Sequence, residues 1–457
     1  MKKLIVVLVM AVTGLPGSAV DIDGEFSSEL RVSLEDATYL FNQENGVLSF
    51  EQTVSDNLFA VARVRLRYFG SPRGLASGTG TLDMDDLSNL AAIGPVEISL
   101  DEAYFTYADF ILPGLDLQAG KQRLHWGSAD LLNPTDIVNP LDLSDPFDFG
   151  KKLPSLAFLL SYTIPATDTF ISFIWEPYSP VALLNALVTE EIAQGLVNPP
   201  LVTGVDPGAG SVRNPGPRLD HGLVGVRIGA TLAGIDFSAN FVTRMNDTPL
   251  VETVEVSGIG GTVASFALGY YREYALGADL AAEAGGFLFW AEAELFWQDE
   301  QTTLTSVSGV GTSTDIILSG EPYLKYTVGF DRRFGSLFYL NFQFNHGFFG
   351  ERGNTGPGRL QDYFLLRLET APFDADLTLG ATGMLNLNNL YDAVGSEDLF
   401  GYVIEHSGLA LGLNLSYRPS LSLQLQVGAM VFMGAADTRL GSFRDWDYLY
   451  GKVTYRF

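Results

Sequence analysis

Strict alternation of apolar and polar residues recurs along almost the whole chain. It is clearest in FSSELRVSL (26–34), LFAVARVRLRY (58–68), FLFWAEAELFW (287–297), LFYLNFQFN (337–345) and LSLQLQV (421–427). A period of two places successive side chains on opposite faces of a β-strand. These segments therefore predict an all-β fold whose strands have one apolar and one polar face.

The length of the strands and the rhythm of the connections separate a soluble sandwich from a membrane barrel. The predicted strands run to about ten residues, which suits a tilted bilayer crossing better than a soluble sheet. Short turns are predicted near residues 55–57, 109–114, 165–168, 231–234, 284–286, 333–336, 371–375 and 418–421. Long loops are predicted near residues 34–45, 70–94, 124–155, 177–220, 245–265, 299–321, 347–360, 386–403 and 434–446.

This alternation of short and long connections predicts a transmembrane antiparallel β-barrel of about 18 strands, with 16 as the alternative. The short turns would be periplasmic and the long loops extracellular. Closure gives every backbone N–H and C=O a partner inside the hydrocarbon, which an open sheet cannot do.

The N-terminal segment MKKLIVVLVMAVTGLPGSAVD predicts the compartment. Two lysines precede an apolar run and then small residues around Ala19, which is the order of a secretory signal. The apolar run is too short to span a bilayer. We therefore expect a cleaved signal over residues 1–19 and a single barrel domain over residues 20–457, in the outer membrane of a Gram-negative-type bacterium.

Composition argues against several other functions. The chain has no cysteine, and its 54 Asp and Glu residues outnumber its 27 Lys and Arg residues, which disfavours nucleic acid as a partner. The acidic runs 83–86 and 142–148 lie in predicted outer loops but lack EF-hand spacing, so solvated carboxylates are favoured over a calcium site. We predict no metal and no cofactor. No G-x-S-x-G motif is present, so an enzyme is not predicted, and His346, next to a strand with a lumen face, is the one candidate for that alternative.

The chain ends on YLYGKVTYRF, in which Val453, Tyr455 and Phe457 share one strand face. We expect this last strand to pair with the first and close the barrel. The stretch resembles the C-terminal signature of bacterial outer-membrane proteins. That resemblance implies that the barrel-assembly machinery is a partner and reads these three residues.

Charged side chains are predicted on two walls of the lumen. Arg63, Arg65 and Arg67 fall on the polar face of the third strand, and Glu97 and Asp101 on that of the fourth. Glu292 and Glu294 contribute to an acidic wall formed by the tenth and eleventh strands. Facing walls of opposite charge would create a transverse field that selects solutes. The alternative is that these charges only solvate a wet lumen and hold neighbouring strands together.

The alternation breaks within residues 101–148. Glu102, Lys121 and Arg123 fall in the lipid-facing phase, where a basic side chain at mid-bilayer costs about 2–4 kcal/mol. A bulge that turns them inward, or a position at the rim, would avoid this cost. A hairpin turn centred near residue 111 places Asp101 opposite Lys121 and Glu102 opposite Gly120, and predicts a cluster of carboxylates and basic groups.

The following loop, near residues 124–155, contains the candidates for a constriction. These are Trp126, Asn133, Pro134, Asn139 and Pro140. Proline removes a backbone donor and disfavours helix at the residue before it, which predicts an extended, turned loop. We expect it to fold into the lumen, and the alternative is an ordered extracellular loop.

The motifs EAY, GKQ, WG and NP in this region resemble an uncharacterised family of bacterial outer-membrane β-barrel proteins, a family built on a domain of unknown function. More remotely they are similar to alginate-export-type porins. The resemblance implies an outer-membrane barrel without a defined substrate. The signature positions that it implies are Glu102, Tyr104, Gly120, Gln122, Trp126, Gly127, Asn139 and Pro140.

These patterns together favour a porin-like channel for passive passage of small solutes through a polar, charge-lined lumen. Its partners would be small solutes, outer-membrane lipid and lipopolysaccharide. One alternative is a loop-plugged carrier of hydrophobic molecules, for which Phe105, Tyr107 and Trp290 are predicted on lumen faces. Another is a structural barrel that does not conduct.

Overall fold

The computed structural model describes residues 20–457 except 70–95, 146, 149, 166, 184–201, 206–208, 217, 354–358, 372–375, 397 and 437. The predicted signal and the acidic run 83–86 therefore lie outside the described residues. In chain order the strands are β1 (Asp21–Ser33), β2 (Tyr39–Ser55), β3 (Leu58–Phe69), β4 (Val96–Tyr107), β5 (Leu115–Gln122), β6 (Ser155–Thr163), β7 (Thr169–Glu176), β8 (Val202–Val205), β9 (Gly210–Val212), β10 (Leu223–Leu232), β11 (Ile235–Met245), β12 (Leu250–Val256), β13 (Gly261–Gly269), β14 (Arg272–Ala284), β15 (Phe287–Gln298), β16 (Gln301–Val307), β17 (Gly311–Leu318), β18 (Tyr323–Phe334), β19 (Phe338–His346), β20 (Asp362–Thr370), β21 (Leu377–Leu387), β22 (Ser407–Tyr417), β23 (Leu423–Gly434) and β24 (Tyr448–Arg456).

Eighteen of these strands form one closed antiparallel barrel, which confirms the larger of the two predicted strand numbers. Each strand pairs with its neighbours, and the sheet closes where β1 pairs with β24. The other six strands lie within three of the long connections, so β7 pairs directly with β10, β11 with β14, and β15 with β18.

The barrel wall is apolar on the outside, as predicted, and carries both polar and apolar side chains on the inside. On β22, Leu411 and Leu413 are exposed on the outer face, while Ala410 and Ser416 on the alternate positions are buried. On β19, Asn341 and Gln343 face inward and are fully buried. An outward apolar band is what a lipid bilayer requires of a barrel.

The short turns that the structure describes lie where the alternation predicts them, and the turn predicted at 371–375 lies largely outside the described residues. Gly285 and Gly286 join β14 to β15 with φ of 62° and 76°, a left-handed conformation that favours glycine. One predicted long loop is wrong: the connection at 34–45 shrinks to residues 34–38, because β2 starts at Tyr39 and pairs with β1 as a long hairpin. Thr38 closes this turn, since its carbonyl oxygen accepts the Ser33 N–H.

The six remaining strands form a second sheet, here called the accessory sheet. Its order is β17–β16–β12–β13–β8, with β9 also paired to β13. It has a core of its own, in which Val254, Val263, Phe266 and Leu268 are buried. Three predicted long loops, at 177–220, 245–265 and 299–321, are therefore partly strand.

Two short helices, α1 (Leu390–Gly395) and α2 (Leu399–His406), lie in the connection between β21 and β22. The Asn389 side chain caps α1 by accepting the N–H groups of Tyr391 and Asp392, and Asp398 caps α2 through Gly401 N–H. Within the part of the chain that the structure describes, no helix has both the length and the apolarity to cross a membrane.

The last residue lies at the closing seam. Phe457 exchanges two backbone hydrogen bonds with Gly24, at 2.9 and 3.0 Å. Val453, Tyr455 and Phe457 are exposed on the outer face, as predicted from their alternation. A side chain at position 24 would meet the Phe457 ring, which would have to shift to make room.

Candidate functional site: a loop folded into the lumen

The connection from β5 to β6, residues 123–154, lies inside the barrel and is called the lumen loop below. Leu132, Thr135 and Asn139 are at most 2% exposed although they belong to no regular strand. Its polar groups bond to strands all round the wall. The described residues of the loop therefore pack against the inward side chains of the wall.

Asn139 closes the neck of the lumen loop. Its side-chain oxygen accepts the Leu124 N–H at 2.6 Å, and its amide nitrogen donates to the Gln122 carbonyl and to Ser155 Oγ. Pro140 follows, and its carbonyl oxygen accepts the Leu153 N–H at 2.8 Å. Both ends of the loop are thus joined through one Asn-Pro pair.

The other Asn-Pro pair forms the inner turn of the loop. The Asn133 side-chain oxygen accepts the N–H groups of Thr135 and Asp136, at 3.0 and 2.9 Å, around Pro134. Its amide nitrogen donates to the Trp126 carbonyl at 2.9 Å. An asparagine that bonds to its own backbone two residues on is a turn former, which explains the sequence signal.

Glu292 on β15 holds this inner turn to the wall. Its carboxylate accepts the backbone N–H groups of Ser128 and Ala129 and, at 2.9 Å, the Thr135 hydroxyl. A side chain at Gly127, whose φ is 89°, would collide with the same carboxylate. Glu292 thus binds the loop and is not a bare charge on the lumen wall.

Trp126 packs against the wall on the other side of the turn. It is 4% exposed and lies in an apolar cluster with Ile174, Val242 and Phe296. The Arg227 guanidinium lies 5.9 Å from its ring centroid, within the range of a cation–π contact.

The far end of the lumen loop reaches the seam side of the barrel. Arg31 on β1 donates from both terminal nitrogens to Asp145, and the pair is buried. Phe147 packs against Phe432 and Tyr448 with ring centroids 4.9 and 5.6 Å apart. β1 and β15 stand eight strands apart by the shorter way around the 18-strand ring, so the loop crosses the lumen.

The three arginines of β3 each pair with a carboxylate of β4. Arg63 bonds to Glu102 at 2.5 Å and Arg65 to Asp101 at 2.7 Å, and Arg67 lies 2.9 Å from Glu97. This ladder of ion pairs runs along the inside of the wall. The predicted basic wall is therefore neutralised by its neighbouring strand.

A β-bulge brings both Asp101 and Glu102 inside. The register shifts between Arg63 and Val64, so that Asp101 is the extra residue of β4. This explains why Glu102 falls in the lipid-facing phase when the strand is counted without a bulge. Arg123 is also brought inward, where it bonds to Asp101 at 2.6 Å and to the Lys152 carbonyl at 2.8 Å.

The predicted hairpin register between β4 and β5 is wrong. Lys121 lies opposite Ala103, not Asp101, and Gly120 lies opposite Tyr104, not Glu102. Lys121 donates instead to the Leu100 carbonyl at 2.7 Å, next to the bulge. The predicted cluster exists, but Arg123 takes the place expected for Lys121.

The acidic residues of β14 and β15 also form ion pairs or hydrogen bonds. Arg244 bonds to Glu273 at 2.7 Å, and Arg227 lies 3.4 Å from Asp279. Glu294 is fully buried and accepts a hydrogen bond from Asn240 at 3.3 Å. The acidic wall thus contacts basic groups, the lumen loop or neutral amides.

A cavity of about 60 Å³ lies between the lumen loop and the wall. Four basic residues (Lys152, Arg244, Lys325, Arg352) and four acidic residues (Asp136, Asp247, Glu273, Glu351) contribute to its lining. Its volume would hold a few water molecules. Burial lowers the pKa of Lys152, whose Nζ donates to the Asp136 carbonyl at 2.6 Å.

Some sequence predictions for the lumen need correction. Phe105 and Tyr107 are exposed on the outer face, while Trp290 is buried inside as predicted. His346 is in phase with the outward Phe344, so it does not face the lumen.

Asp142 and Asp145 belong to the lumen loop and pair with Lys151 and Arg31, so they are not outer-loop carboxylates.

Sequence reasoning missed an apolar stretch of the lumen wall. Leu365, Met384, Phe432 and Tyr448 are buried together on β20 to β24 and pack against the lumen loop through Leu132. Inward apolar residues at isolated positions, such as Phe432 within LQLQVGAMVFMG, give no distinct periodic signal.

No family model matches the chain, and no curated protein matches it. The resemblance of the GKQ, WG and NP segment therefore stays a prediction. Solved structures match over almost the full length. OccAB4 of Acinetobacter baumannii has a TM-score of 0.49 and 8% identity, and the match covers 97% of this chain and 99% of that one. OccK11 (OpdR) of Pseudomonas aeruginosa has a TM-score of 0.49 and 9% identity over 96% of both chains. OccK8 (OprE) of the same organism has a TM-score of 0.48 and 10% identity over 96% and 98%.

Proposed function

We propose that this protein is an outer-membrane channel through which small solutes pass passively, and that the lumen loop narrows it. The observation that carries this proposal is the lumen loop itself, bound to β15 through Glu292 and to β1 through Arg31 within an 18-strand barrel. A barrel of 16–18 strands is wide enough for an aqueous channel unless something fills it. A loop across the lumen turns a wide pore into a selective one.

The ion-pair ladder on β3 and β4 supports a polar path along one wall. Arg63 is 37% exposed in its side chain, whereas Glu102, its partner, is 5% exposed. A partly solvated guanidinium beside a paired carboxylate offers hydrogen-bond donors to a passing solute without a large net charge. We propose that this wall, rather than a transverse field between bare charges, is the polar side of the path.

The proposal includes the compartment and the assembly route. Residues 1–19 would be removed as a secretory signal, and residues 20–457 would insert as one barrel. Val453, Tyr455 and Phe457, exposed at the seam, would be read by the barrel-assembly machinery. Lipid and lipopolysaccharide would then surround the apolar outer face.

A second candidate function is supported by the apolar part of the wall. Leu365, Met384 and Phe432 face inward, as a carrier of hydrophobic molecules would require. Leu132 and Phe147 of the lumen loop already pack against this patch. An apolar solute would have to displace them, so the small-solute channel is the better supported function.

Swelling of liposomes that contain the refolded, signal-free protein tests this function. We expect rapid swelling with a small neutral sugar such as arabinose and a steep fall with the trisaccharide raffinose, because the lumen loop leaves a narrow path. No swelling with any solute, from a barrel that still shows heat-modifiable migration, would refute the channel. Saturable binding of a fluorescent fatty acid by the same sample would then favour the carrier.

A further inference from the structure

The connection from β21 to β22, here called the helical segment (residues 388–406), exposes more apolar surface than a loop in water usually does. Its five exposed large apolar side chains are Tyr391, Val394, Leu399, Phe400 and Ile404, with exposures from 52% to 85%. Large exposed apolar side chains that are grouped within one short segment suggest a contact with a partner or a membrane, as contiguous apolar patches do.

The start of the helical segment is bound to the outside of the barrel. Asp362 is in phase with the exposed Leu366 of β20, whereas Tyr363, at the alternate position, is fully buried and contacts the inward Phe348. The Asp362 carboxylate accepts the Leu390 N–H at 2.6 Å and is 2.7 Å from the His346 ring. The first residue of α1 therefore lies over the outer face of the wall.

Burial on the neighbouring strands agrees with a cover over the outer face at this rim. Leu387 lies opposite Ser407 and continues the outward phase of Leu379, Leu411 and Leu413. Leu411 and Leu413 are 41% and 63% exposed, but Leu387 is only 3% exposed. An outward side chain at the rim is thus covered, while those further down the same face are open to the surroundings.

We infer that the helical segment is an interfacial anchor that lays its apolar side chains into the outer leaflet of the membrane. Its first residue, Leu390, is bound at the outer face of the wall, next to the apolar band that lipid covers. Tyrosine and phenylalanine are the side chains that proteins place at the boundary between headgroups and hydrocarbon. The exposed carboxylates of Asp392, Asp398 and Glu405 would remain among the headgroups.

This inference rests on the membrane placement of the barrel within the proposed function, but not on conduction. A barrel that conducts nothing could still anchor the segment in lipid. A conducting barrel could equally hold it in water. The test below reads lipid contact directly, so its outcome is independent of solute passage.

The absence of cysteine makes the test simple, because each introduced cysteine is a unique labelling site. The variant Phe400→Cys is labelled with the fluorophore NBD and refolded into phosphatidylcholine vesicles with plain or brominated acyl chains. Leu413→Cys on the outer wall is the lipid control. Val310→Cys, at the turn between β16 and β17 and 62% exposed, is the water control.

We expect NBD at position 400 to emit at shorter wavelength than at position 310 and to be quenched by brominated chains to an extent comparable with position 413. Adding Asp362→Ala should reduce that quenching at position 400 and leave position 413 unchanged, because it removes the tether. Water-like emission at position 400 in a folded barrel would overturn the inference. A blue-shifted label without bromine quenching, together with cross-linking between barrels, would overturn it in favour of a second copy.

Discussion

At the scale of single residues, the lumen loop is held by charged side chains that are buried away from water. Arg31 and Asp145 are 11% and 10% exposed in their side chains, and they join the loop to β1. Removal of Arg31 leaves Asp145 buried without its guanidinium partner, which costs more than the pair contributes on its own, whereas Arg31 without Asp145 keeps Glu29 at 2.8 Å. Surface pairs of similar geometry contribute much less.

We therefore expect a large coupling energy between Arg31 and Asp145. In a double-mutant cycle with Arg31→Ala and Asp145→Ala, unfolding by urea from vesicles should report a coupling of roughly 1–3 kcal/mol. The matched control is the Arg456–Glu25 pair at the seam, whose side chains are 51% and 39% exposed. Its coupling should stay under about 1 kcal/mol. Equal couplings for the two pairs would contradict a role for Arg31 in holding the loop.

The His125 ring at the base of the lumen loop is a pH-dependent contact. Its hydrogen bond to Asp136, at 2.8 Å, raises the pKa of the imidazole above its ordinary value of 6.5. A raised pKa in the folded state means that the contact stabilises the loop fully below about pH 6.5. The stabilisation is lost as pH rises through the raised pKa.

An NMR titration of the His125 ring checks this directly. We expect a midpoint above 6.5 in the wild type and a shift back toward 6.5 in Asp136→Asn, because the charged partner is gone. Glu292 also raises this pKa and Lys152 lowers it, so the return need not be complete. An identical midpoint in both proteins would mean that Asp136 does not set it.

At the scale of elements, closure of the barrel depends on the seam between β1 and β24. The Phe457 ring lies over Gly24, and a Cβ at that position would be 2.2 Å from the ring. On β24, by contrast, a Cβ at Gly451 would meet nothing within 4 Å. The two glycines therefore differ in what a methyl group would do.

We expect Gly24→Ala to lower the folded fraction modestly, because the Phe457 ring must shift, and Gly451→Ala to leave it unchanged. The measurement is heat-modifiable migration after refolding into detergent or vesicles, with both variants made in parallel. A normal folded fraction for Gly24→Ala would show that the Phe457 ring can move aside at little cost.

The elements also show what the sequence could and could not predict. Long strands were predictable because a one-residue slip would move a whole apolar face into the lumen. The inward position of Glu102 was not predictable. A single extra residue at Asp101 inverts the inward and outward phase of β4, and the alternation of residue types does not reveal it. The sequence does not predict the accessory sheet, because its strands are short, such as VETVEV within β12. They also lie inside connections that the alternation predicts to be loops.

The shape of the lumen loop was predictable in part, because it depends on local sequence. Asn133 and Asn139 carry a local turn signal, so the shape of the lumen loop can be inferred from residues beside them. Their distant contacts cannot be inferred in this way. Glu292 is more than 150 residues from the amides that it binds, and nothing in its own strand distinguishes it from Glu294.

At the scale of the whole molecule, we propose that the lumen loop sets the width of the pore. The barrel provides the space, and the bonds from Glu292 and Arg31 keep the loop across it. Hydrogen bonds to a charged group contribute about 1.5–3 kcal/mol each, so the three bonds to Glu292 should dominate the attachment of the inner turn.

The most direct test is the single-channel conductance of the refolded protein and of Glu292→Ala in the same planar bilayers. The matched control is Glu283→Ala, which removes an exposed carboxylate from the neighbouring strand β14. We predict small, stable steps for the wild type and for Glu283→Ala, and larger or strongly fluctuating steps for Glu292→Ala, because the inner turn of the loop is released. Conductance that is the same in all three proteins, or no steps from barrels that are demonstrably folded, would contradict the claim.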